Sequence, residues 1–385
     1  MTIPNHAKPM AILAWCLCCG TAAPPAAAAD EGLPPGLRAR AQKSIDRGLA
    51  FLRSAQTADG GWTEPYGPAI TAICANAFLR DRDHGADHPV VRRALSNIER
   101  YVQADGGIYE RRQNLANYQT SVVLSFLAAL DDPSLSDRVG RAQRFLVKLQ
   151  YDENESVDRN NVWYGGAGYN EDKRPDLSNT QMMLQALHDS GLEKSDPVYQ
   201  RALVFISRCQ MNRQTNDQPF AREAADGGFI YSPANEGESK ASQEVTEGRV
   251  ALRSYGSMTY AGFKSLLFCG LDRDDPRVKA AYDWIRRHYT LDKNASMPGE
   301  RSKQGLYYYY YVFARALNAW GEPVVVDSRG TSHFWRAELC EKLISLQRQD
   351  GRWLNEHDRW MEGDANYITG LTCQTLQAAM DEKIP

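Results

Sequence analysis

The stretch Leu49-Ala-Phe-Leu-Arg-Ser-Ala-Gln56-Thr-Ala-Asp59-Gly60-Gly61-Trp62 decides the fold, because variants of it return along the chain. It reads as the end of an amphipathic helix, a glutamine, a tight Asp-Gly-Gly turn and an aromatic residue. The period begins at about 47 residues and lengthens where loops are inserted, which is typical of a repeat architecture. The further copies span 101–108, 145–166, 205–229, 284–307 and 344–353, and the copy at 284–307 is degenerate.

A second helix follows each turn. These segments are rich in Ala and Leu and apolar on most faces, as in buried helices, whereas the helices before the turns are more amphipathic and charged. Six such pairs can close into an all-α (α/α)6 toroid, and an open solenoid is the alternative. The predicted inner helices are 68–80, 116–130, 176–191, 254–270, 305–320 and 364–380.

The N-terminus resembles a secretory signal. Lys8 precedes an apolar run at 10–19, and the alanines at 27–29 offer an A-x-A cleavage site. We therefore expect a secreted or periplasmic protein. A lipoprotein signal is the alternative because cysteines occur in this run, although the residues before them fit a lipobox poorly. These cysteines are Cys16, Cys18 and Cys19.

The chain divides into a predicted signal peptide at 1–29, a linker at 30–41 and a toroid domain at 42–385. No apolar run reaches the roughly 18 residues that a membrane-spanning helix needs. The net charge of -3 and the absence of a basic stripe disfavour nucleic-acid binding. Protein partners and the oligomeric state are left open.

Five cysteines follow the signal segment, and no C-x-x-C occurs. An odd count without that spacing predicts no metal or redox framework, so we interpret these residues as small buried hydrophobes. Their pairing is left open. The cysteines are Cys74, Cys209, Cys269, Cys340 and Cys373.

Two insertions interrupt the repeats, at 152–174 and 214–253. Long insertions in a compact domain are often lids or binding loops, or else mobile segments. The stretch 324–330 combines three valines with a polar turn and predicts a short strand.

The sequence Gln347-Arg-Gln-Asp350-Gly351-Arg352-Trp353 resembles the QW-type repeat of squalene and hopene cyclases and of protein prenyltransferase β subunits. With 254–260 and the tyrosines at 307–311, the chain resembles a group of secreted bacterial prenyltransferase/squalene-oxidase-repeat proteins. The resemblance covers most of the chain after about residue 41. It implies a toroid whose central cavity binds an apolar or isoprenoid molecule, and it leaves open whether any turnover occurs.

The catalytic motifs of those families are not matched. Asp272-Arg-Asp274-Asp275 has the letters of the cyclase acid but precedes Pro276 at the start of an outer helix, so we interpret it as a solvated helix cap. The positions equivalent to a prenyltransferase zinc site, 254–256 and 366–367, carry no Asp-x-Cys. His333 and His357 have no cysteine nearby. We therefore expect neither a metal nor another cofactor.

In a toroid, the N-terminal ends of the inner helices surround one mouth of the cavity. Here these ends are rich in polar and aromatic residues, which predicts a binding pocket. At most two or three of the tyrosines at 307–311 can point inward, because five consecutive residues span more than one helical turn. The predicted ligand-binding residues are Tyr118, Gln119, Asn179, Gln181, Tyr255, Tyr260, Tyr308, Asn366 and Tyr367.

Three residues near this mouth are weak candidates for acid–base catalysis: Glu362, Asp364 and His333. Asp364 also fits an N-cap of the sixth inner helix, as Asp176 fits that of the third. His333 equally fits a capping or surface role.

Two other classes of function stay open. A secreted carbohydrate-active enzyme would use paired carboxylates and aromatic platforms on the same fold. A non-catalytic scaffold would present loops to partners around a ring centre filled by side chains. For the carbohydrate enzyme, the candidate carboxylates are Glu244, Glu247, Glu362 and Asp364, and the candidate platforms are Trp163, Trp335, Trp353 and Trp360.

Overall fold

The computed structural model describes residues 33–63, 66–246 and 249–381. The predicted signal peptide at 1–29 lies outside this range, and so do Glu247 and the side chain of Glu244. None of the helices in the described ranges combines the length and the apolar character needed to cross a bilayer.

Twelve α-helices alternate between an outer and an inner ring within the described residues. The outer helices are α1 (Pro35–Ala55), α3 (Pro89–Glu99), α5 (Ser136–Lys148), α7 (Pro197–Cys209), α9 (Pro276–His288) and α11 (Trp335–Leu346). The inner helices are α2 (Pro68–Leu79), α4 (Ala116–Leu130), α6 (Leu177–Asp189), α8 (Gly256–Phe268), α10 (Leu306–Trp320) and α12 (Ala365–Met380).

The inner ring closes on itself. Each inner helix packs against the next, and the last, α12, packs against the first, α2. The apolar side chains of both rings form a continuous buried core, as the periodicity of the sequence predicted. The predicted (α/α)6 toroid is confirmed.

Two short antiparallel hairpins accompany the helices. Strand β1 (Gln243–Thr246) pairs with β2 (Arg249–Leu252), and β3 (Val325–Val326) pairs with β4 (Ser332–His333). The strand predicted within 324–330 is therefore present. Short 3-10 helices occur at Arg111–Gln113, Pro133–Leu135, Glu153–Glu155, Pro219–Ala221 and Gly299–Lys303.

The first helix begins earlier than the sequence indicated. The range 30–41 was predicted to be a linker, yet α1 starts at Pro35, and Leu37 and Ala41 are buried. The four-residue spacing of these side chains places both on one helix face, and a proline is tolerated in the first turn of a helix. The rest of the predicted domain division stays a prediction.

The recurring glutamine joins consecutive outer helices. The side-chain amide of Gln56 donates hydrogen bonds to Gly60 O at 2.9 Å and to Val90 O, in the next outer helix, at 3.0 Å. Gln347 makes the equivalent bonds to Gly351 O and to Ser44 O of α1, both at 2.8 Å. The same arrangement recurs at Gln150 and Gln210.

In five of the six turns, a glycine allows the close approach to the next outer helix. Gly165 has φ +81°, and a Cβ atom there would lie 1.9 Å from the carbonyl oxygen of Arg201 in α7. Equivalent approaches to the next outer helix occur at Gly60, Gly106, Gly227 and Gly351. Only glycine fits both the positive φ and the contact.

A threonine of the inner helix completes the turn. Trp62 N donates to Thr71 Oγ1 at 3.2 Å, and Trp353 N donates to Thr369 Oγ1 at 3.1 Å. The same bond is made to Thr120, Thr180 and Thr259. The degenerate fifth repeat has Tyr310 at this position in the sequence.

The repeat tryptophans are structural. Trp62 Nε1 donates to Leu52 O and Trp353 Nε1 to Leu343 O, each at 2.8 Å, and both rings are buried. Trp335 is also buried in the core. None of the three is available as a sugar platform. The five cysteines of the described ranges are buried and form no disulfide.

Candidate ligand cavity

A cavity of about 230 Å³ opens at the N-terminal ends of the inner helices. It is lined by seven tyrosines and one tryptophan, Tyr66, Tyr118, Tyr169, Tyr231, Tyr255, Tyr308, Tyr367 and Trp360. The other lining residues are Ala69, Ile70, Leu115, Ser178, Asn179, Lys240, Ser257, Met258, Gly305 and Met361. No carboxylate occurs among these described residues, and Lys240 is the one charged side chain among them.

Both insertions contribute to the wall. Tyr169 comes from the insertion at 152–174, and Tyr231 and Lys240 come from the insertion at 214–253. Lys240 pairs with Glu238, and its Nζ lies 4.3 Å from the centre of the Tyr231 ring. The insertions are therefore part of the cavity.

Five of the nine predicted ligand-binding residues line the cavity: Tyr118, Asn179, Tyr255, Tyr308 and Tyr367. The repeat explains much of this placement. The residue two positions before each recurring threonine lines the cavity in all five repeats that have one: Ala69, Tyr118, Ser178, Ser257 and Tyr367.

Two predicted residues next to the cavity turn away from it. Gln119 follows Tyr118, but its side-chain oxygen accepts a hydrogen bond from Glu110 N at 2.7 Å. Its amide nitrogen donates to Gln113 Oε1 at 2.6 Å and to the main-chain oxygen of Tyr66 at 3.2 Å. Gln181 lies behind the wall, where its amide donates to the hydroxyl of Tyr308 at 3.1 Å. Neither side chain lines the cavity.

The other two predicted residues are also outside it. Tyr260 is buried between α8 and α10, with its ring 4.9 Å from that of Phe313. Asn366 donates to Thr63 Oγ1 at 2.9 Å. Both residues stabilise the inner helices near the cavity, and neither lines the cavity.

Asp176 is an ionisable group behind the aromatic wall. It caps α6 and accepts hydrogen bonds from Asn179 N at 2.9 Å and Asn179 Nδ2 at 2.8 Å. Burial raises the pKa of Asp176 to about 6, although Asn179, Tyr231 and Arg174 favour the ionised carboxylate. The sequence predicted the cap but not the raised pKa.

Glu362 has a structural position. Its carboxylate accepts Tyr308 N at 2.8 Å and Asn355 Nδ2 at 2.6 Å, so it caps α10 and holds Tyr308 in place. Burial raises the pKa of Glu362 to about 7, against these hydrogen bonds. Glu362 does not line the cavity, and it acts on the site through Tyr308.

The other catalytic candidates also lie outside the lining. Asp364 caps α12 by accepting Tyr367 N at 2.8 Å, as the sequence indicated. His333 is in β4, where its ring stacks 4.0 Å from Tyr289 and its Nδ1 lies 3.1 Å from Glu338. The structure brings neither residue to the cavity.

The Asp272–Asp275 sequence forms a helix cap, as predicted. Asp275 accepts Arg277 N at 2.8 Å at the start of α9, and Asp274 is exposed and pairs with Lys279. These carboxylates do not line the cavity. Within the described ranges, no group of three or more His, Cys, Asp or Glu residues is placed to hold a metal ion.

The fold resembles solved toroids. No family model and no curated protein matches the sequence. The type II terpene cyclase MstE from Scytonema, in complex with geranylgeranyl dihydroxybenzoate, matches with TM-score 0.55 and 13% identity over 90% of this chain and 99% of that one. The resemblance to a terpenoid cyclase-type toroid is thus confirmed at the level of the fold.

Carbohydrate-acting proteins share the same architecture. A D-mannose isomerase matches with TM-score 0.55 and 11% identity, over 90% of this chain and 99% of its own. An inactive variant of an alpha-1,6-mannanase from Salegentibacter matches with TM-score 0.53 and 8% identity, over 89% and 99%. Identities this low establish the fold, and the function has to be argued from the cavity.

Proposed function

We propose that the protein binds an apolar, isoprenoid-type ligand in its central cavity. The observation that carries this proposal is the aromatic lining, with no carboxylate among the described lining residues. Aromatic faces bury much apolar surface, and a few polar groups such as Ser178 and Asn179 orient the ligand. The fold shared with a terpene cyclase supports the same class of ligand.

The size of the cavity limits what it encloses. A cavity of about 150 Å³ holds a molecule the size of benzene, so one of about 230 Å³ holds an apolar group on the order of ten heavy atoms. A longer chain would continue past the mouth, where Tyr66 and Trp360 are each 42% exposed. We therefore assign the enclosed part of the ligand to a geranyl-sized group.

A carbohydrate ligand is the second candidate, favoured by the exposed ring of Trp360 at the mouth and by the two carbohydrate-acting structural neighbours. Glycoside hydrolysis needs two carboxylates on either side of the bond. The described lining offers none, which argues against glycoside hydrolysis and leaves sugar binding or another reaction on a sugar. The cavity also disfavours the scaffold hypothesis, which a ring centre filled by side chains would have favoured.

The experiment is a binding titration with geraniol, farnesol and mannotriose, read by native mass spectrometry and calorimetry. Two exposed aromatics provide matched variants, because Trp360 lines the cavity and Phe334 does not. We expect Trp360→Ala to weaken geraniol binding roughly tenfold and Phe334→Ala to leave it unchanged. Binding of mannotriose alone would replace the proposal, and equal effects of the two variants would contradict it.

We also propose that the protein is secreted, on the signal-like sequence at 1–29. The mature protein should then begin near Asp30, which N-terminal sequencing of material from the native host would establish. A mature chain that retains residues 1–29 would contradict secretion through this signal.

A further inference from the structure

The wall of the aromatic cavity contains a primary amine. Lys240 is the one charged side chain among the described lining residues, and it belongs to the insertion at 214–253. Its side chain is 24% exposed, so the amine lies between the cavity and the solvent. The other polar groups of the described lining are hydroxyls, the indole of Trp360 and the amide of Asn179. Lys240 therefore supplies the nucleophilic nitrogen of this lining, the group that can form a C=N bond with a carbonyl compound.

The neighbours of this amine stabilise a positive charge. Lys240 pairs with the carboxylate of Glu238, and its Nζ lies 4.3 Å from the centre of the Tyr231 ring. A carboxylate and the face of an aromatic ring both attract a cation. Neither contact depends on the nitrogen being an ammonium, so a cationic iminium at the same nitrogen would keep both.

Glu238 pairs with a second cation. Arg174, from the insertion at 152–174, contacts the other carboxylate oxygen of Glu238. Its guanidinium lies 5.9 Å from the centre of the same Tyr231 ring. Glu238 therefore keeps a charged partner while Lys240 is in the uncharged form that a nucleophilic amine requires.

A ligand with an anionic end fits this arrangement less well. Its negative charge would have to displace Glu238 from Lys240 or lie beside that carboxylate, and like charges repel each other. An aldehyde instead reacts with the lone pair of the nitrogen and leaves Glu238 in place. The contacts of Lys240 therefore favour a carbonyl ligand over a carboxylate or a phosphate.

We propose that Lys240 forms a Schiff base with an isoprenoid aldehyde whose apolar part occupies the aromatic cavity. This inference rests on the proposed function, because the apolar lining is what selects the carbon chain of the aldehyde. A cavity of about 230 Å³ encloses a group of geranyl size, so geranial, the aldehyde with the carbon skeleton of geraniol, is the matched probe.

The reaction needs neither an oxidant nor a reductant. The ammonium of Lys240 gives one proton to Glu238, and the neutral amine attacks the carbonyl carbon. A proton shift from nitrogen to oxygen gives the carbinolamine, which takes the proton back from Glu238 as its hydroxyl leaves as water. One aldehyde and one ammonium thus become one iminium and one water, and the iminium faces Glu238 and the Tyr231 ring.

Reductive trapping tests the proposal. The native protein is incubated with geranial and sodium cyanoborohydride, which converts an iminium into a stable secondary amine, and the product is located by intact-protein and peptide mass spectrometry. We expect one geranyl group per chain, at Lys240, formed roughly tenfold faster than at any other lysine because the cavity holds the aldehyde beside this amine. Labelling spread evenly over the exposed lysines, or none at Lys240, would overturn the proposal.

Two arginine variants are matched controls. Lys240→Arg keeps a positive charge beside Glu238 but has no primary amine, so it should abolish the fast adduct and still bind geraniol. Lys173 is 49% exposed, pairs with Asp172 and is not a lining residue, so Lys173→Arg should keep the adduct at its native rate. A fast adduct that persists in Lys240→Arg, or that is lost in Lys173→Arg, would contradict the assignment to Lys240.

Two further ligands separate this inference from the proposed function. Geraniol has the carbon skeleton without the carbonyl, and glyceraldehyde has the carbonyl without the apolar chain. Geraniol binding without a fast adduct from geranial would overturn this inference alone. If geraniol does not bind, and glyceraldehyde labels Lys240 as fast as geranial does, the proposed function and this inference are both overturned.

Discussion

The turns of the repeats and the mouth of the cavity are built on the same helix pairs, but residues recur in the turns and vary at the mouth. In four of the turns, the glutamine makes the same two hydrogen bonds, one within its own turn and one to the next outer helix. These glutamines are Gln56, Gln150, Gln210 and Gln347. At the mouth, the position two residues before the recurring threonine changes from Ala69 to Tyr118 to Ser178. Positions that repeat thus stabilise the ring, and positions that vary shape the cavity.

The largest expected effect is on the turn glycines. Gly165→Ala would combine a positive φ with a Cβ atom 1.9 Å from Arg201 O and should destabilise the protein by about 4 kcal/mol. Gly191 has a similar φ of +77° but no neighbouring atom within 4 Å, so Gly191→Ala should cost only about 1 kcal/mol. Urea unfolding measures both, and equal losses would show that the contact is unimportant.

The next effect is a pH dependence from Glu362. Its pKa is raised from 4.5 to about 7 in the folded protein, so the protonated form favours folding. This stability is fully present below about pH 4.5, is lost as the pH rises through 7, and amounts to up to about 3 kcal/mol. Asp176, with a pKa raised to about 6, acts in the same direction.

Glu362→Gln should therefore flatten the decline in unfolding free energy between pH 4.5 and 7. Glu356→Gln, at a side chain that is 82% exposed, is the control and should leave the profile unchanged. An unchanged slope in Glu362→Gln would contradict the assignment to this carboxyl.

A smaller effect is expected from the turn glutamines. Gln210→Ala would leave the carbonyls of Gly227 and Arg277 without their donor and should cost about 2 kcal/mol. The side-chain amide of Gln103 donates to Tyr101 O and Tyr109 O, and its oxygen accepts from Arg111 Nε at 2.7 Å. None of these partners is in the next outer helix, so Gln103→Ala should cost about 1 kcal/mol or less. Chemical denaturation of both variants decides whether the bond to the next outer helix accounts for the difference.

The smallest effect on stability should come from the cavity rim. Trp360→Ala removes a ring that is 42% exposed and should change the unfolding free energy by less than about 0.5 kcal/mol. Its effect should instead appear in ligand affinity. A large loss of stability in Trp360→Ala would mean that this side chain stabilises the fold as well as lining the cavity.

The sequence predicted the repeats well, because glutamine, glycine and apolar periodicity act locally. It also predicted that at most two or three of the tyrosines at 307–311 can face inward. Tyr308 lines the cavity, and Tyr311, three residues further along the same helix face, lines a smaller cavity next to it. Tyr309 and Tyr310 point elsewhere and donate to Thr290 O and Leu291 O, both at 2.7 Å.

The remaining lining residues of the cavity could not be predicted from local sequence patterns. Tyr66, Tyr169, Tyr231 and Lys240 lie in connections whose path depends on contacts with distant segments. Gln119 was chosen for its type, yet one residue rotates a helix by about 100°, which turns it away from the cavity. Aligning the inner helices on their threonines would have given the signal that was missed.

Closure of the helix ring also determines when the first helix can complete its contacts during synthesis. The hydrogen bond from Gln347 to Ser44 joins residues 303 positions apart, and α1 packs against α11 and α12. At about 5–20 residues per second, a ribosome needs roughly 15–60 s to make that intervening length. During this interval, Gly48 of α1 lacks its neighbours Trp353 and Cys373. The first helix made is therefore among the last to complete its contacts.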